Sequence, residues 1–348
     1  MSDTASPAAA AEHPVKTVRE AINEALHQEM ERDSRVIIMG EEVAGGAGCQ
    51  GSDEAYGGVF GVTKGLGPRF GRERVIDTPI TESAIIGAAA GAANTGLRPI
   101  AELMFVDFIG VCFDQIFNQA AKFRYMFGGK TITPMVIRAT AGAGLRAAAQ
   151  HSSMLHPVLT HMPGLKVVMP SNAYDAKGLM LQAIRDDDPV VFIEHKLLYE
   201  TSCPVPDAMY TIPFGEAAFP REGSDATIVA FGSMVPKAIA VADKLAQEGI
   251  HCDVIDPRTT SPLDSESILE SVEVSGRLIC VDEANPRCSL AADVAALVAE
   301  HAFGALRAPI KCVTPPHTPV PFAPVLEDAY VPGEARIEQA VRETLGGS

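Results

Sequence analysis

The chain has 348 residues, of which 47% are hydrophobic and 21% charged, a composition typical of globular proteins. The length predicts two domains. A formal net charge of −16 argues against nucleic-acid binding, because phosphate contacts require clustered Lys and Arg. No apolar run has the length of a membrane span. The seven cysteines form no C-x-x-C pattern, which favours reduced thiols and a cytoplasmic location.

The first half of the chain alternates short apolar runs with helical patterns. Residues 1–14 are predicted to be a disordered tail, and Thr17 with Glu20 forms a capping box that begins a helix over 17–30. Strands are predicted at 35–39, 74–79, 99–106, 134–140, 165–170 and 189–195, and helices at 82–93, 107–126 and 172–185. Continuous Val- and Ile-rich strands separated by helices predict a parallel sheet covered on both faces, in a domain of residues 15–200.

The second half repeats this alternation after a break. Residues 201–220 contain four prolines and no clear period, which predicts a linker. Further strands are predicted at 226–232, 251–256, 277–283 and 309–313, and helices at 234–248, 264–272 and 288–302. These elements predict a smaller α/β domain over 221–348, in which the Pro-rich residues 315–334 form an extended segment.

Three acidic residues in two places are candidates for chemistry. Glu41 and Glu42 follow the strand at 35–39, and Glu82 lies at a strand-to-helix corner. Ligands of open α/β sheets bind at the carboxyl ends of strands. The alternative interpretation is that these carboxylates only stabilise helix N-termini or lie on the surface.

The Gly-rich run after the strand at 134–140 is a further candidate. Gly142, Gly144 and Ala147 match G-x-G-x-x-A, but no acidic residue follows about twenty positions later, so a dinucleotide site is rejected. His151 lies just beyond, in a loop rich in Gly and Ala. It is either a structural or solvent-exposed histidine or a proton donor.

Several runs together resemble one family. They are GEEV (40–43), DTPITE (77–82), FDQIFNQAAKFRY (113–125), AAQHS (148–152), GLKVVMPSNAYDAKGL (164–179), DPVVFIEHKLLY (188–199), VIDPRTTSPLD (254–264) and GRLICVDE (276–283). From about residue 15 to its end, the chain resembles the β subunits of the thiamine-diphosphate-dependent first components of 2-oxo-acid and acetoin dehydrogenase complexes. Runs 43–48, 53–66 and 101–130 are most similar to the acetoin branch.

The resemblance implies a fold and a set of roles. The fold would be transketolase-like α/β, with a pyrimidine-binding domain and a transketolase C-terminal domain. Glu82 matches the acid that hydrogen-bonds N1′ of the cofactor's aminopyrimidine, and Phe108 matches an aromatic residue stacked on that ring. Ile80 matches a residue lining the cofactor cleft, and Glu42 an acid of the proton-relay region between paired sites. His151 matches the loop histidine that assists acyl transfer to a lipoyl group.

The resemblance also implies bound ions and partners. Asp186 and Asp188 match a structural monovalent-cation (K⁺) site, and the alternative is an exposed acidic turn. The chain has no G-D-G motif, which in this class holds Mg²⁺ and the diphosphate, so an α subunit should supply that half of the site in an α2β2 enzyme. A dihydrolipoyl acyltransferase core is the second expected partner.

The substrate expected from the resemblance is acetoin, and the product a two-carbon unit passed to the lipoyl group. A pyruvate or branched-chain 2-oxo-acid dehydrogenase is the alternative. A hypothesis of another class is a non-catalytic docking paralogue that keeps only the fold. The presence of Glu82, Phe108 and His151 argues against that hypothesis.

Overall fold

Fourteen strands and eleven α-helices occur in the residues that the computed structural model describes, 13–45 and 57–346. The strands are β1 Val15–Thr17, β2 Val36–Gly40, β3 Val75–Asp77, β4 Arg98–Phe105, β5 Val136–Ala141, β6 Lys166–Val168, β7 Val190–His195, β8 Ser202–Pro204, β9 Ala218–Arg221, β10 Ala226–Ala230, β11 Cys252–Asp256, β12 Thr259–Ser261, β13 Leu278–Val281 and β14 Lys311–Val313. The helices are α1 Val18–Arg32, α2 Leu66–Phe70, α3 Glu82–Asn94, α4 Phe123–Met126, α5 His156–Thr160, α6 Ala173–Arg185, α7 Met234–Ala246, α8 Ser265–Ser275, α9 Leu290–His301, α10 Pro324–Tyr330 and α11 Glu334–Thr344.

The strands form two main sheets, one in each half of the chain. The first has the order β12-β6-β7-β5-β4-β2-β3 and is parallel except for its edge strand β12. The second has the order β14-β13-β10-β11-β9, with only β9 antiparallel. A small antiparallel pair joins β1 to β8. Because β12 follows β11 in sequence but pairs with β6, the second half of the chain contributes the edge of the first sheet.

Helices cover both faces of the first sheet, as the continuous apolar strands predicted. On one face, α1 and α6 pack with Leu26 and Phe192 in a single apolar core. On the other face, Ile86 of α3 and Ile137 of β5 lie in an apolar cluster that also contains Ile268 of α8. Since one cluster contains residues from both halves of the chain, the two halves share buried surface.

Local signals set the ends of the helices. Thr17 accepts a hydrogen bond from the backbone N–H of Glu20, and the Glu20 carboxylate accepts one from the Thr17 backbone, which confirms the predicted capping box. Asn172 caps α6 in a similar way by accepting from Asp175 N–H. These caps satisfy N–H groups that have no partner inside the helix.

The prediction of one helix over 107–126 is wrong. The segment is a 3₁₀ turn at Val106–Gly110, a π-helical turn at Gln115–Ala120 and the short helix α4. Ile116 and Ala120 of the π turn, and Ala121 after it, are buried. Such turns are frequent at functional sites.

The extended conformation predicted for 315–334 is also wrong in part, because α10 lies within it. Pro324 occupies the first turn of α10, where its missing N–H is tolerated. The predicted linker 201–220 contains β8 and the beginning of β9, and the proposed division into 15–200 and 221–348 stays a prediction. Most of the predicted tail, residues 1–12, lies outside the described residues, as do residues 46–56 of the resembling runs.

Candidate active site

Glu82 is the first residue of α3 and lies at the carboxyl edge of the first sheet, directly after β3. Its side chain is buried, with 8% of the residue exposed. The positive end of the helix dipole stabilises a carboxylate at this position. The helix behind it is built from Ala, Gly and Ile, and a Cβ added at Gly91 would meet no atom within 4 Å. The sequence therefore places a buried acid at the start of a helix whose exposed face permits close approach of another chain.

Two further acids lie near Glu82. Glu41 follows β2 and is buried, and burial together with the nearby carboxylates of Glu82, Glu102 and Glu42 raises the pKa of Glu41. We call Glu41, Glu82 and Glu102 the acid cluster. Repelling carboxylates in a buried site retain protons more readily than isolated ones, which suits a group that exchanges protons.

Glu42, the member of the pair to which the resemblance gives a role, is exposed in this chain. Its φ of +57° is in the left-handed region, and its carbonyl oxygen accepts hydrogen bonds from the N–H groups of Gly45 and Gly58. Glu41 rather than Glu42 is therefore the buried neighbour of Glu82. The cofactor role of Glu42 stays a prediction.

A buried arginine lies beneath the acid cluster, and the sequence reasoning missed it. Arg138 of β5 donates to Glu194 on β7 at 2.7 and 2.8 Å and to Glu102 on β4 at 2.7 Å. Tyr199 also donates to Glu194, at 2.7 Å. Burial raises the pKa of Glu102, and the Arg138 guanidinium opposes that effect. The available signal was a charged residue inside each of three largely apolar strands. Glu102 pairs directly with Arg138 across β4 and β5, and Glu194 lies two positions beyond Phe192, the β7 residue that pairs with Arg138.

An aromatic cluster follows β4. Phe108 lies in the 3₁₀ turn and His151 in a second 3₁₀ turn, Ala149–His151. The His151 ring lies edge-on to Phe105 at 4.7 Å and to Phe108 at 5.5 Å between ring centroids. The structure thus brings Phe108 and His151 together, although 43 positions separate them in the sequence.

The acid cluster and the aromatic cluster adjoin each other through Cys112. The Cys112 thiol points toward the Phe108 carbonyl oxygen at 3.7 Å. Burial, together with the nearby carboxylate of Glu82, raises the pKa of that thiol to about 12. Ile80 lies just before Glu82 and is 81% exposed, so within this chain it forms an open side of the site.

Three buried side-chain oxygens at the same edge have no hydrogen-bond partner among the described residues. They are Thr78 Oγ1 after β3, Asp107 Oδ2 after β4 and Ser152 Oγ after β5. Buried polar atoms are nearly always paired in folded proteins. All three follow strands of the first sheet at its carboxyl edge, which indicates a site that a ligand or another chain completes. Glu82 and the aromatic rings at that edge suit a heteroaromatic cofactor.

The described residues give no support for a metal site formed by this chain alone. In the described ranges, no group of three or more His, Cys, Asp or Glu side chains is placed to hold a metal ion. Asp186 and Asp188, predicted to hold a monovalent cation, instead form ion pairs with lysine and arginine side chains. Lys166 Nζ lies 2.7 Å from Asp186 and 3.5 Å from Asp188, and Arg124 lies 2.6 Å from Asp188. The K⁺ site stays a prediction, and these ion pairs do not favour it.

Comparison with known proteins agrees with this geometry. The family described as "Transketolase, pyrimidine binding domain" matches residues 15–201, and "Transketolase, C-terminal domain" matches residues 215–337. A solved structure described as "Split gene transketolase, inactive beta4 tetramer" superposes with a TM-score of 0.73. The comparison covers 95% of this chain and 98% of that one at 23% identity, so it shows the fold alone. The expected two-domain, transketolase-like α/β fold is confirmed.

Curated relatives are closer in sequence. The acetoin:2,6-dichlorophenolindophenol oxidoreductase subunit beta of Cupriavidus necator is 61% identical, covering 95% of this chain and 98% of its own length. The Bacillus subtilis protein of the same name is 57% identical with the same coverage. The pyruvate dehydrogenase E1 component subunit beta of Rickettsia felis is 47% identical, covering 94% of this chain and 97% of its own.

The fold and the acid at the sheet edge define the chain as a transketolase-like protein of the thiamine-diphosphate class. More particularly, it belongs to the family of β subunits of the acetoin and 2-oxo-acid dehydrogenases. The family resemblance predicted from the sequence is confirmed.

Among the described residues, no helix is both long and apolar enough to cross a membrane.

Proposed function

We propose that this chain is the β subunit of an α2β2 thiamine-diphosphate enzyme that cleaves acetoin and passes a two-carbon unit to a lipoyl-bearing acyltransferase. The observation that carries the proposal is the buried Glu82 beside an aromatic cluster at the sheet edge. The choice of acetoin rests on the 61% and 57% identities to acetoin oxidoreductase β subunits, against 47% for the pyruvate dehydrogenase subunit.

Each site residue has a defined task in this proposal. Thiamine diphosphate, when bound, supplies a carbon nucleophile that forms by loss of a proton. Glu82 would share a proton with the aminopyrimidine nitrogen. Phe108 would pack on that ring and Ile80 would line the cleft. The His151 imidazole, which lies against Phe108, would donate a proton during transfer to the lipoyl group.

A second chain is required to complete the site. The sequence lacks the G-D-G motif for Mg²⁺ and the diphosphate, so the α subunit would provide those contacts. The surface next to Glu82 supports this arrangement, because Ile80 and Val111 are 81% and 56% exposed. Exposed apolar patches of this kind mark interaction surfaces. Glu42, exposed in the single chain, would belong to the relay between paired sites. The assembled enzyme would operate in the cytoplasm.

Pyruvate or a branched-chain 2-oxo acid is the second candidate substrate. A Bacillus subtilis 2-oxoisovalerate dehydrogenase subunit beta is 43% identical over 93% of this chain, so these β subunits keep a similar frame. A 2-oxo acid requires recognition of its carboxylate, and acetoin does not. Much of that recognition would come from the α subunit.

The test is a reconstitution. The chain is co-produced with its α partner, loaded with thiamine diphosphate and Mg²⁺, and supplied with acetoin or pyruvate and 2,6-dichlorophenolindophenol. Faster dye reduction with acetoin is expected, and the β chain alone should be inactive. Faster reduction with pyruvate, accompanied by CO₂ release, would assign the enzyme to the decarboxylating branch. Full activity of the β chain alone would refute the shared site.

A further inference from the structure

The loop that carries His151 is a closed unit between β5 and α5. The Gly142 N–H donates to the Ser153 carbonyl oxygen at 3.1 Å, so residues 142–153, here called the His151 loop, begin and end at one point. Two of its non-glycine residues have left-handed backbones, Arg146 at φ +59° and Ala148 at φ +60°. Such conformations persist only where the surroundings hold them.

A carboxylate from the second half of the chain holds the middle of this loop. Glu327 of α10 is fully buried and accepts hydrogen bonds from the N–H of Gly144 at 2.7 Å and the N–H of Arg146 at 3.2 Å. It also pairs with the Arg146 guanidinium at 2.6 Å. Both backbone donors are directed at one carboxyl group, so Glu327 fixes the backbone on each side of Leu145.

A second buried carboxylate holds the start of the loop. Glu283, which follows β13, accepts from the N–H of Ala143 at 2.7 Å and from the Ser233 hydroxyl at 2.7 Å. His195 Nε2 donates to it at 2.9 Å, because His195 Nδ1 already accepts the N–H of Leu197. Burial alone would raise the pKa of Glu283, but the His195 imidazole and these donors lower it to about 2.

The His151 end of the loop is held separately. The Lys196 ammonium donates to the backbone carbonyl oxygen of His151, and the ring lies against Phe105 and Phe108. The loop is therefore fixed at three places, and two of them are carboxylates that the second half of the chain contributes. Apart from those two anchors, the run before His151 is held mainly by the Arg146 guanidinium, which also donates to Asp328 at 2.6 Å.

We infer that Glu327 and Glu283 are positioning residues that hold the His151 loop in the geometry needed for transfer to the lipoyl group. The inference rests on the proposed role of His151. It gives the second half of the chain a part in the reaction, through carboxylates at least 130 positions away in sequence from the loop that they hold.

The experiment compares two acceptors in the assembled α2β2 enzyme loaded with thiamine diphosphate and Mg²⁺, using acetoin or pyruvate, whichever is oxidised faster. The acceptors are 2,6-dichlorophenolindophenol and a lipoylated acyltransferase domain. The variants are Glu327→Gln and His151→Ala. The matched control is Glu343→Gln, which changes an exposed carboxylate paired with Lys311 at 2.6 Å in the same half of the chain.

For Glu327→Gln, kcat/KM with the lipoylated domain should fall at least about tenfold more than dye reduction, the effect expected from losing a charged hydrogen-bond acceptor. Deuterium exchange of the peptide covering 142–153 should rise in this variant while exchange elsewhere stays unchanged. Glu343→Gln should leave both rates and the exchange unchanged. Global loosening would instead raise exchange throughout the chain and lower both rates together, and that result would overturn the positioning role.

His151→Ala separates the two possible failures. If it loses lipoyl transfer selectively while Glu327→Gln does not, the positioning role is wrong and the role of His151 stands. If His151→Ala does not affect lipoyl transfer, the proposed role of His151 is wrong, and the positioning role for catalysis is withdrawn with it. The exchange measurement then still decides whether Glu327 orders the loop.

Discussion

Removing Arg138 should destabilise the chain more than removing any exposed arginine. Arg138→Met keeps the apolar part of the side chain but leaves the buried carboxylates of Glu102 and Glu194 without their cation. Three hydrogen bonds to charged groups are lost, at about 1.5–3 kcal/mol each. Because the variant no longer has to bury a charged guanidinium, part of this loss is offset. The free energy of unfolding should therefore fall by about 3–5 kcal/mol.

The effect should depend on pH in a definite direction. Burial already raises the pKa of Glu102 with Arg138 present, and losing Arg138 removes the group that opposes this rise. The folded state then binds a proton more readily than the unfolded state does, so the free energy of unfolding falls as pH rises above the unfolded pKa of about 4.3. The variant should therefore be closer to the wild type at pH 5 than at pH 8.

The assay is urea unfolding followed by circular dichroism, at fixed protein concentration and at both pH values. The control is Arg221→Met, which removes an exposed pair with Asp243 and should change stability by less than about 1 kcal/mol. A loss for Arg138→Met no larger than that of the control, or a larger loss at pH 5 than at pH 8, would refute the reasoning.

Three further predictions concern other parts of the fold. Thr17→Ala removes the cap of α1 and should lower the free energy of unfolding by about 1 kcal/mol, measured by urea titration against Ser202→Ala in the same small sheet. Burial raises the pKa of Asp256 to about 7, so the contribution of Asp256 to stability falls as the pH rises from about 4 to 7. Asp256→Asn should make the melting temperature fall less over this pH range. An unchanged fall would contradict the prediction. Gly142→Ala should lower the melting temperature and expose the His151 loop to trypsin, because a Cβ there would overlap His195 Nε2 and the φ of +92° disfavours a side chain. An unchanged digestion pattern would argue against this.

The sequence predicted the regular elements well because their signals are local. The strand that became β2 is a continuous apolar run, and the start of α1 is marked by the capping pair Thr17 and Glu20. The break in the helix predicted over 107–126 could not be predicted in this way. A π turn at Gln115–Ala120 interrupts the helix there, and no Pro or Gly in residues 113–126 marks its place in the sequence.

The candidate site was predicted in part, for similar reasons. Glu82 lies at a strand-to-helix corner, a position that sequence patterns indicate directly. The resemblance gave a role to Glu42, whereas in the structure Glu42 is exposed, with a φ of +57°, and Glu41 is the buried neighbour of Glu82. Arg138 and Glu327 escaped notice because their partners are distant in sequence, and only the sheet register and the packing of the two halves bring them together.

The role of Glu82 is tested most directly by the turnover of Glu82→Gln in the assembled enzyme, measured by dye reduction with acetoin. Glutamine keeps the shape of the side chain but cannot share a proton, so the rate should fall at least about a hundredfold. The matched control is Glu266→Gln, an exposed glutamate in the first turn of α8, which should leave the rate unchanged. Near-normal turnover of a correctly assembled Glu82→Gln enzyme would contradict the assignment of this acid and of the site built around it.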